Sequence, residues 1–279
     1  MRLERIRKKL AQNHLDAFFI SNQHNVTYVT GFAGLSPHER EGFLLVTGEN
    51  AYLLTFPTYF GLYKQGGDGF TTLCITGEKR LSDHLNMIFA EEKIQKLGVE
   101  KENLTLSEYA SLKSKLAVSF VETEQLIETF RIIKDDSEIT AIRNAAEVTD
   151  DAFIAIQKEI REGVSERDIA LTLEYFIKKH AHDIAFPPIV AFGKNAAIPH
   201  YMPDNKEQLT KNSLILLDFG AKIDGYCSDM TRVIFCGTPS DEEIKVYQTV
   251  LEAQKNALAI LKAGIPAYEA DRIARKYIT

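Results

Sequence analysis

The stretch LLDFGAKIDGYCSDMTR, from Leu216 to Arg232, constrains this chain more than any other. Asp224-Gly225 is a two-residue hairpin signal, because the tight turn that joins twisted strands needs positive φ at both central positions. With that pair as the loop, Ile223 faces Tyr226, Asp218 faces Thr231, and Asp229 faces Gly220. Period-two alternation then puts Asp218 and Asp229 on one face as diagonal neighbours, with backbone spacing of ~7–8 Å. Leu217, Phe219 and Ala221 take the other face, while Leu214 and Leu216 share the aspartate face, so both faces are expected to be buried. Two carboxylates this close and this dry need a counter-charge. A divalent cation on carboxylate oxygens supplies one: Mn²⁺, Mg²⁺ or Co²⁺, with Zn²⁺ as an alternative. The plainer reading pairs Asp218 with Arg232 or Lys222 and leaves Asp229 capping a turn.

Other candidates are weighed against this pair. His200, in the loop NAAIPHYMP before the hairpin, is either a hydrogen-bonding or acid–base group lining the site or an ordinary loop histidine. Cys227 shares the aspartate face by parity and reads as a small buried thiol. His180 and His182 stand two residues apart at a helix end, share no helical face and read as surface residues. His14, His24, His38 and His84 form no ligand spacing.

Composition narrows the class. The net charge of −6 argues against a nucleic-acid binder. No apolar run approaches a membrane span, and the charged, amphipathic start MRLERIRKKLAQNHLD lacks the apolar core of a signal peptide. It reads as a first helix with Leu3, Ile6 and Leu10 on one face. Three cysteines without motif spacing fit reduced thiols in a cytoplasm.

The N-terminal part alternates strands (DAFFI, GFLLVTG, AYLLTF) with helices (SDHLNMIFAEEKI, LSEYASLKSKLA), the pattern of an α/β domain. A domain boundary falls near Gln125–Lys134, giving domains at 1–130 and 131–279. A long helix follows, capped by Asp136 or Ser137, with Ile139, Ile142, Ala146, Phe153, Ile156 and Ile160 as its stripe and Gly163 closing it. Ser165 caps the next helix, with Ile169, Leu173 and Phe176 on its buried face, and Ser240 with Glu243 forms a capping box further on. IREGVSERDIALTLEYFI is echoed by LKAGIPAYEADRIARKYI, so a helix–helix–hairpin unit is used twice and its second copy stops after two helices. A missing second hairpin is expected, as in a C-terminally shortened chain.

These segments carry a resemblance. LLDFGAKIDGYCSDMTR, IVAFGKNAAIPHY, IIKDDSEITAIRNAAEVTDDAF and NVTYVTGFAG are similar to segments of the M24 metallopeptidase family, in its Xaa-Pro dipeptidase and Xaa-Pro aminopeptidase branch. The resemblance implies an α/β creatinase-like N-terminal domain followed by an α+β pita-bread domain, of which about the first half is present. It implies hydrolysis of the Xaa-Pro bond of dipeptides or peptide N-termini, with a metal-bridged hydroxide as nucleophile. Two divalent ions, Mn²⁺ or Co²⁺ first and Zn²⁺ as the alternative, are held in that family by two aspartates, a histidine and two glutamates. By position, Asp218 binds one ion, Asp229 bridges both, and His200 is the substrate-side, catalytic histidine. The other three ligands have no counterpart here: no HGxGH-like segment and no later glutamate hairpin occur. A cytoplasmic homodimer acting on proline-containing peptides is implied, with no nucleic acid or membrane partner. The resemblance therefore gives the activity and the two ions to the full-length protein, with this chain alone expected to be inactive or incomplete, and the absent ligands leave an alternative, a non-catalytic binding protein on the same fold.

Overall fold

The computed structural model describes residues 2–35, 39–67 and 69–279, so His38 lies outside the described residues. The chain forms two compact units, Met1–Lys134 and Asp135–Thr279.

In the first unit the order is α1 (Arg2–Gln12), β1 (Ala17–Ile20), α2 (Gln23–Thr30), β2 (Gly42–Thr47), β3 (Ala51–Thr55), α3 (Pro57–Tyr63), β4 (Thr71–Cys74), α4 (Leu81–Glu91), β5 (Lys96–Glu100), α5 (Leu106–Lys115), β6 (Ser119–Thr123) and α6 (Glu128–Arg131). The strands make one mixed sheet in the order β4-β3-β2-β1-β5-β6. β1 is buried along its whole length, which is why AFFI shows no polar alternation. Leu3, Ile6 and Leu10 of α1 pack with Phe18 and Ile20 on one face, and Leu85, Ile88 and Phe89 of α4 pack with Phe19 and Leu45 on the other. The helix α2 carries little hydrophobic periodicity and was not evident from sequence. Asn22 caps it, and the buried carboxylate of Glu100 accepts from the Ser21 and Asn22 N–H groups at 2.7 Å each. A carboxylate at a helix N-terminus satisfies free donors and meets the positive end of the dipole.

The second unit runs α7 (Asp136–Ile156), α8 (Glu166–His180), β7 (Asp183–Ile184), β8 (Ile189–Phe192), a 3-10 turn (Gly193–Ala197), β9 (Ser213–Phe219), β10 (Ala221–Ile223), β11 (Tyr226–Cys227), β12 (Met230–Cys236), α9 (Asp241–Ile260) and α10 (Ala267–Ile278). Its strands form two sheets, β11-β10-β7 and β12-β9-β8. Ile169, Leu173 and Ile177 of α8 pack with Ala152 and Ile156 of α7 against Val190, Ile215, Leu217 and Phe219. Each such large side chain, fully buried, stabilises the fold by ~1.5–3 kcal/mol. The two helix pairs of the expected repeat are both present, and their links carry Gly163 and Gly264 at φ 86° and 89°.

Three expectations for α7 are corrected. Its N-cap is Asp135, whose side chain accepts from the Glu138 N–H in a capping box. It ends at Ile156, because Lys158 and Glu159 bond to Ala155 and Ile156 in tighter three-residue turns, so Gly163 sits in the link and donates to Leu209 O at 2.9 Å. Its buried stripe is Glu138, Ala141, Ala145, Thr149, Ala152 and Ile156, while Ile139 is 42% exposed. Small side chains win the middle positions, Ala141, Ala145 and Thr149, because they let the hairpin backbone approach closely. Ser240 and Glu243 do form the expected capping box on α9.

Candidate metal centre

The hairpin register is the expected one: Ile223 pairs with Tyr226 across the turn, and Thr231 pairs with Asp218. Asp224 and Gly225 both have positive φ, 50° and 83°. The ladder is not continuous, however. It breaks around Gly220, Ser228 and Asp229, so Asp229 and Gly220 are not ladder partners and the hairpin changes sheets there. The N–H of Ala185 takes the Gly220 carbonyl at 2.8 Å, drawing this end of the hairpin to β7.

The break is pinned by a hydroxyl. Ser228 Oγ accepts from the Ala221 N–H at 2.9 Å, donates to Ala145 O at 3.0 Å and lies 2.5 Å from Thr149 Oγ1. Ser228 and Thr149 are buried, so the hairpin is fastened to α7 one residue before Asp229. Ser228→Ala is expected to lower stability by about 1–3 kcal/mol, the cost of stranding buried polar groups. Urea unfolding checks this, and a loss below about 0.5 kcal/mol, the size of an ordinary surface change, would show the hydroxyl to be idle.

The aspartate face is more open than expected. Leu214, Leu216 and Asp218 are half-buried and Asp229 is exposed, whereas Ile215, Leu217 and Phe219 are fully buried on the other face. The helices α7 and α8 contribute to the core on that second face, and nothing among the described residues seals the first to the same degree. Cys227, expected to be buried, is also exposed, beside the turn.

Asp218 sits on the central strand, between Thr231 of β12 and Ile189 of β8. Its Oδ1 is buried without a hydrogen-bond partner. Burial pushes its pKa up, the Thr231 hydroxyl opposes that shift, the neighbouring Asp229 carboxylate adds to it, and His200 pulls the other way. Asp229, at the strand break, and His200, on its loop, are thus the charged groups that act on Asp218 of the central strand. The pairing of Asp218 with Arg232 or Lys222 is not found among the described residues: Arg232 donates to Thr231 O and lies over the Phe153 ring, and Lys222 is exposed. His180 and His182 are exposed, as expected, and away from this cluster by their partners, Phe176 O and the Asp224 N–H.

An orphaned buried carboxylate oxygen beside a second carboxylate, with no basic side chain paired to it, fits a hard divalent cation. Among the described residues no group of three or more His, Cys, Asp or Glu side chains could hold a metal ion. The donors here amount to two carboxylates, a partial coordination shell. Sequence reading passed over Glu166, Asn195 and Tyr201, which bond to one another beneath the His200 loop. Sequence offered no clear signal for Glu166, because the first turn of α8 reads Glu166-Arg167-Asp168 and a buried acid does not stand out in a charged turn.

The family description "Metallopeptidase family M24" matches residues 140–279, and "Creatinase/Prolidase N-terminal domain" matches residues 2–133. An Xaa-Pro dipeptidase of Pyrococcus horikoshii is 33% identical, over 99% of this chain and 76% of that protein. Among solved structures, an Xaa-Pro dipeptidase from Bacillus anthracis superposes with a TM-score of 0.89 at 35% identity, covering 99% of this chain and 76% of that one. An X-Pro aminopeptidase from Thermotoga maritima gives 0.86 at 33% identity, covering 95% and 75%.

Proposed function

This chain belongs to metallopeptidase family M24, with a creatinase-like N-terminal domain, and from that premise we propose that it hydrolyses the Xaa-Pro bond of dipeptides or peptide N-termini. The observation that carries the reading is the unpartnered, buried Oδ1 of Asp218 beside Asp229, an oxygen pair suited to a divalent cation. Asp218 and Asp229 would hold the divalent ions, with Mn²⁺ or Co²⁺ favoured by carboxylate oxygens and Zn²⁺ as the alternative. When bound, the ions would activate water near neutral pH and polarise the scissile carbonyl.

The protein's own residues do the rest. Asp218 and Asp229 must be ionised to bind, so the raised pKa of Asp218 couples metal uptake to proton release. His200, exposed on its loop, is free to hydrogen-bond the carbonyl region of the substrate or the charge that develops there. The three cysteines are free thiols, which supports a reducing, cytoplasmic setting.

The test is hydrolysis of Xaa-Pro dipeptides and Xaa-Pro peptides with added Mn²⁺ or Co²⁺, alongside calorimetric metal stoichiometry. Asp229→Asn is expected to lower kcat/KM by at least about a hundredfold, the scale on which losing a group that stabilises developing charge is felt. Unchanged activity in Asp229→Asn overturns the assignment. If no divalent ion binds, the binding-protein reading takes its place.

A further inference from the structure

Glu166 is fully buried at the first position of α8, and its partners all come from one later stretch of chain. Its Oε1 accepts from the Phe192 N–H at 2.8 Å and from Asn195 Nδ2 at 3.0 Å, and its Oε2 accepts from the Tyr201 hydroxyl at 2.7 Å. Asn195 Nδ2 also donates to the Tyr201 hydroxyl at 2.9 Å, which closes a triangle. The bonds fasten both ends of the segment from Phe192 to Tyr201, and His200 lies at its far end.

His200 has no comparable anchor of its own. It is exposed, its φ is 55°, and among the described residues no hydrogen bond holds its imidazole. A left-handed conformation costs a non-glycine residue on the order of 1 kcal/mol or more and persists only where the surroundings impose it. Here they do so one residue later, through Tyr201. The carboxylate suits its place twice: three donors converge on an acceptor-only group, and it stands at the positive end of the α8 dipole. It keeps the Tyr201 hydroxyl protonated as a donor, with the pKa pushed up to about 12 by the hydrogen bond to Glu166.

We propose that Glu166, acting through Tyr201 and Asn195, is the positioning residue that sets His200 in place for its substrate-side role. The inference rests on the role given to His200 above. A glutamine at 166 would present an amide NH₂ to the Tyr201 hydroxyl, which would have to turn and accept. The triangle would then open although the volume is unchanged.

The experiment uses the protein with Tyr201→Phe, Glu166→Gln, His200→Ala and the double change Tyr201→Phe/His200→Ala. The first readout is the His200 ring signal in ¹H–¹³C NMR, assigned by its loss in His200→Ala, together with amide hydrogen exchange. In Tyr201→Phe, which leaves the packing intact, the His200 signal is expected to shift or broaden and the amides around residues 193–203 to exchange at least about tenfold faster. The His180 and His182 signals are expected to stay put. An unchanged His200 signal and unchanged exchange in both Tyr201→Phe and Glu166→Gln overturn the proposal.

The second readout is Xaa-Pro hydrolysis. Tyr201→Phe is expected to lower kcat by roughly ten- to a hundredfold with a smaller change in KM, as for a misplaced catalytic group. The double variant is expected to be no slower than His200→Ala alone, because both changes remove one function. Fully additive losses overturn the proposal. If the unaltered protein hydrolyses no Xaa-Pro substrate, the reading of the reaction fails. The NMR and exchange results then still decide whether Glu166 positions the loop.

Discussion

Gly220→Ala is expected to unfold the hairpin-bearing unit, or to cost it about 3 kcal/mol or more, the upper end for overpacking a closed site. A Cβ at this position would lie 1.9 Å from the Ser228 carbonyl oxygen and 2.8 Å from its carbon, with the Ala185 Cβ at 3.1 Å. The first two are backbone atoms of the segment between β11 and β12 and cannot rotate away. Relief would require moving the Ser228 backbone, and with it the bonds from its hydroxyl to Ala221 and Ala145. Thermal unfolding followed by circular dichroism should show the transition of this unit lowered or lost. A decrease of less than about 1 kcal/mol, the centre of the range for ordinary point changes, would mean that the strands can part at the break without penalty.

Asp218→Asn is expected to act in opposite directions with and without metal. Without metal, Asp218 carries a raised pKa, first because of burial and further because of Asp229. An acid whose folded pKa lies above its unfolded value binds its proton more tightly in the folded state. The folded protein therefore loses stability as pH rises from the ordinary aspartate value of 3.8 through the folded pKa. Asparagine removes that slope, and at pH 7 it is expected to stabilise the metal-free protein slightly, by ending an unpartnered charge that solvent already screens in part.

With divalent ion present the sign reverses. A ligand at a hundred times its Kd stabilises the native state by about 2.7 kcal/mol, and asparagine, a weaker neutral donor, forfeits most of that. Melting curves at several pH values, each with and without Mn²⁺, check both signs in one series. A variant that melts lower without metal, or that keeps the full Mn²⁺ effect, would remove Asp218 from the metal site.

Much of this architecture was legible in local sequence. The register of the hairpin followed from two residues, Asp224 and Gly225, because a turn that needs positive φ twice fixes where the strands meet, and period two carries the pairing outward. The caps at Ser165 and Ser240 were legible for the same reason: the bonds they make span three residues. The stripe of α7 was misread because hydrophobicity points to Ile139, whereas the packed face is chosen by size. Ala141, Ala145 and Thr149 are small enough to admit a hairpin backbone that sequence does not reveal.

The sequence by itself determined local relations: Asp218 opposite Thr231 by alternation outward from the turn, and the helical stripes of α1 and α8 by period. Those relations depend on backbone geometry repeated over a few residues. Only the tertiary structure decided that the hairpin breaks at Gly220, that the aspartate face stays half open, and that Glu166 closes on Tyr201 thirty-five residues later. Each of these depends on which distant atoms arrive at contact distance. Steric exclusion, desolvation and hydrogen bonding act at that range whatever the separation along the chain.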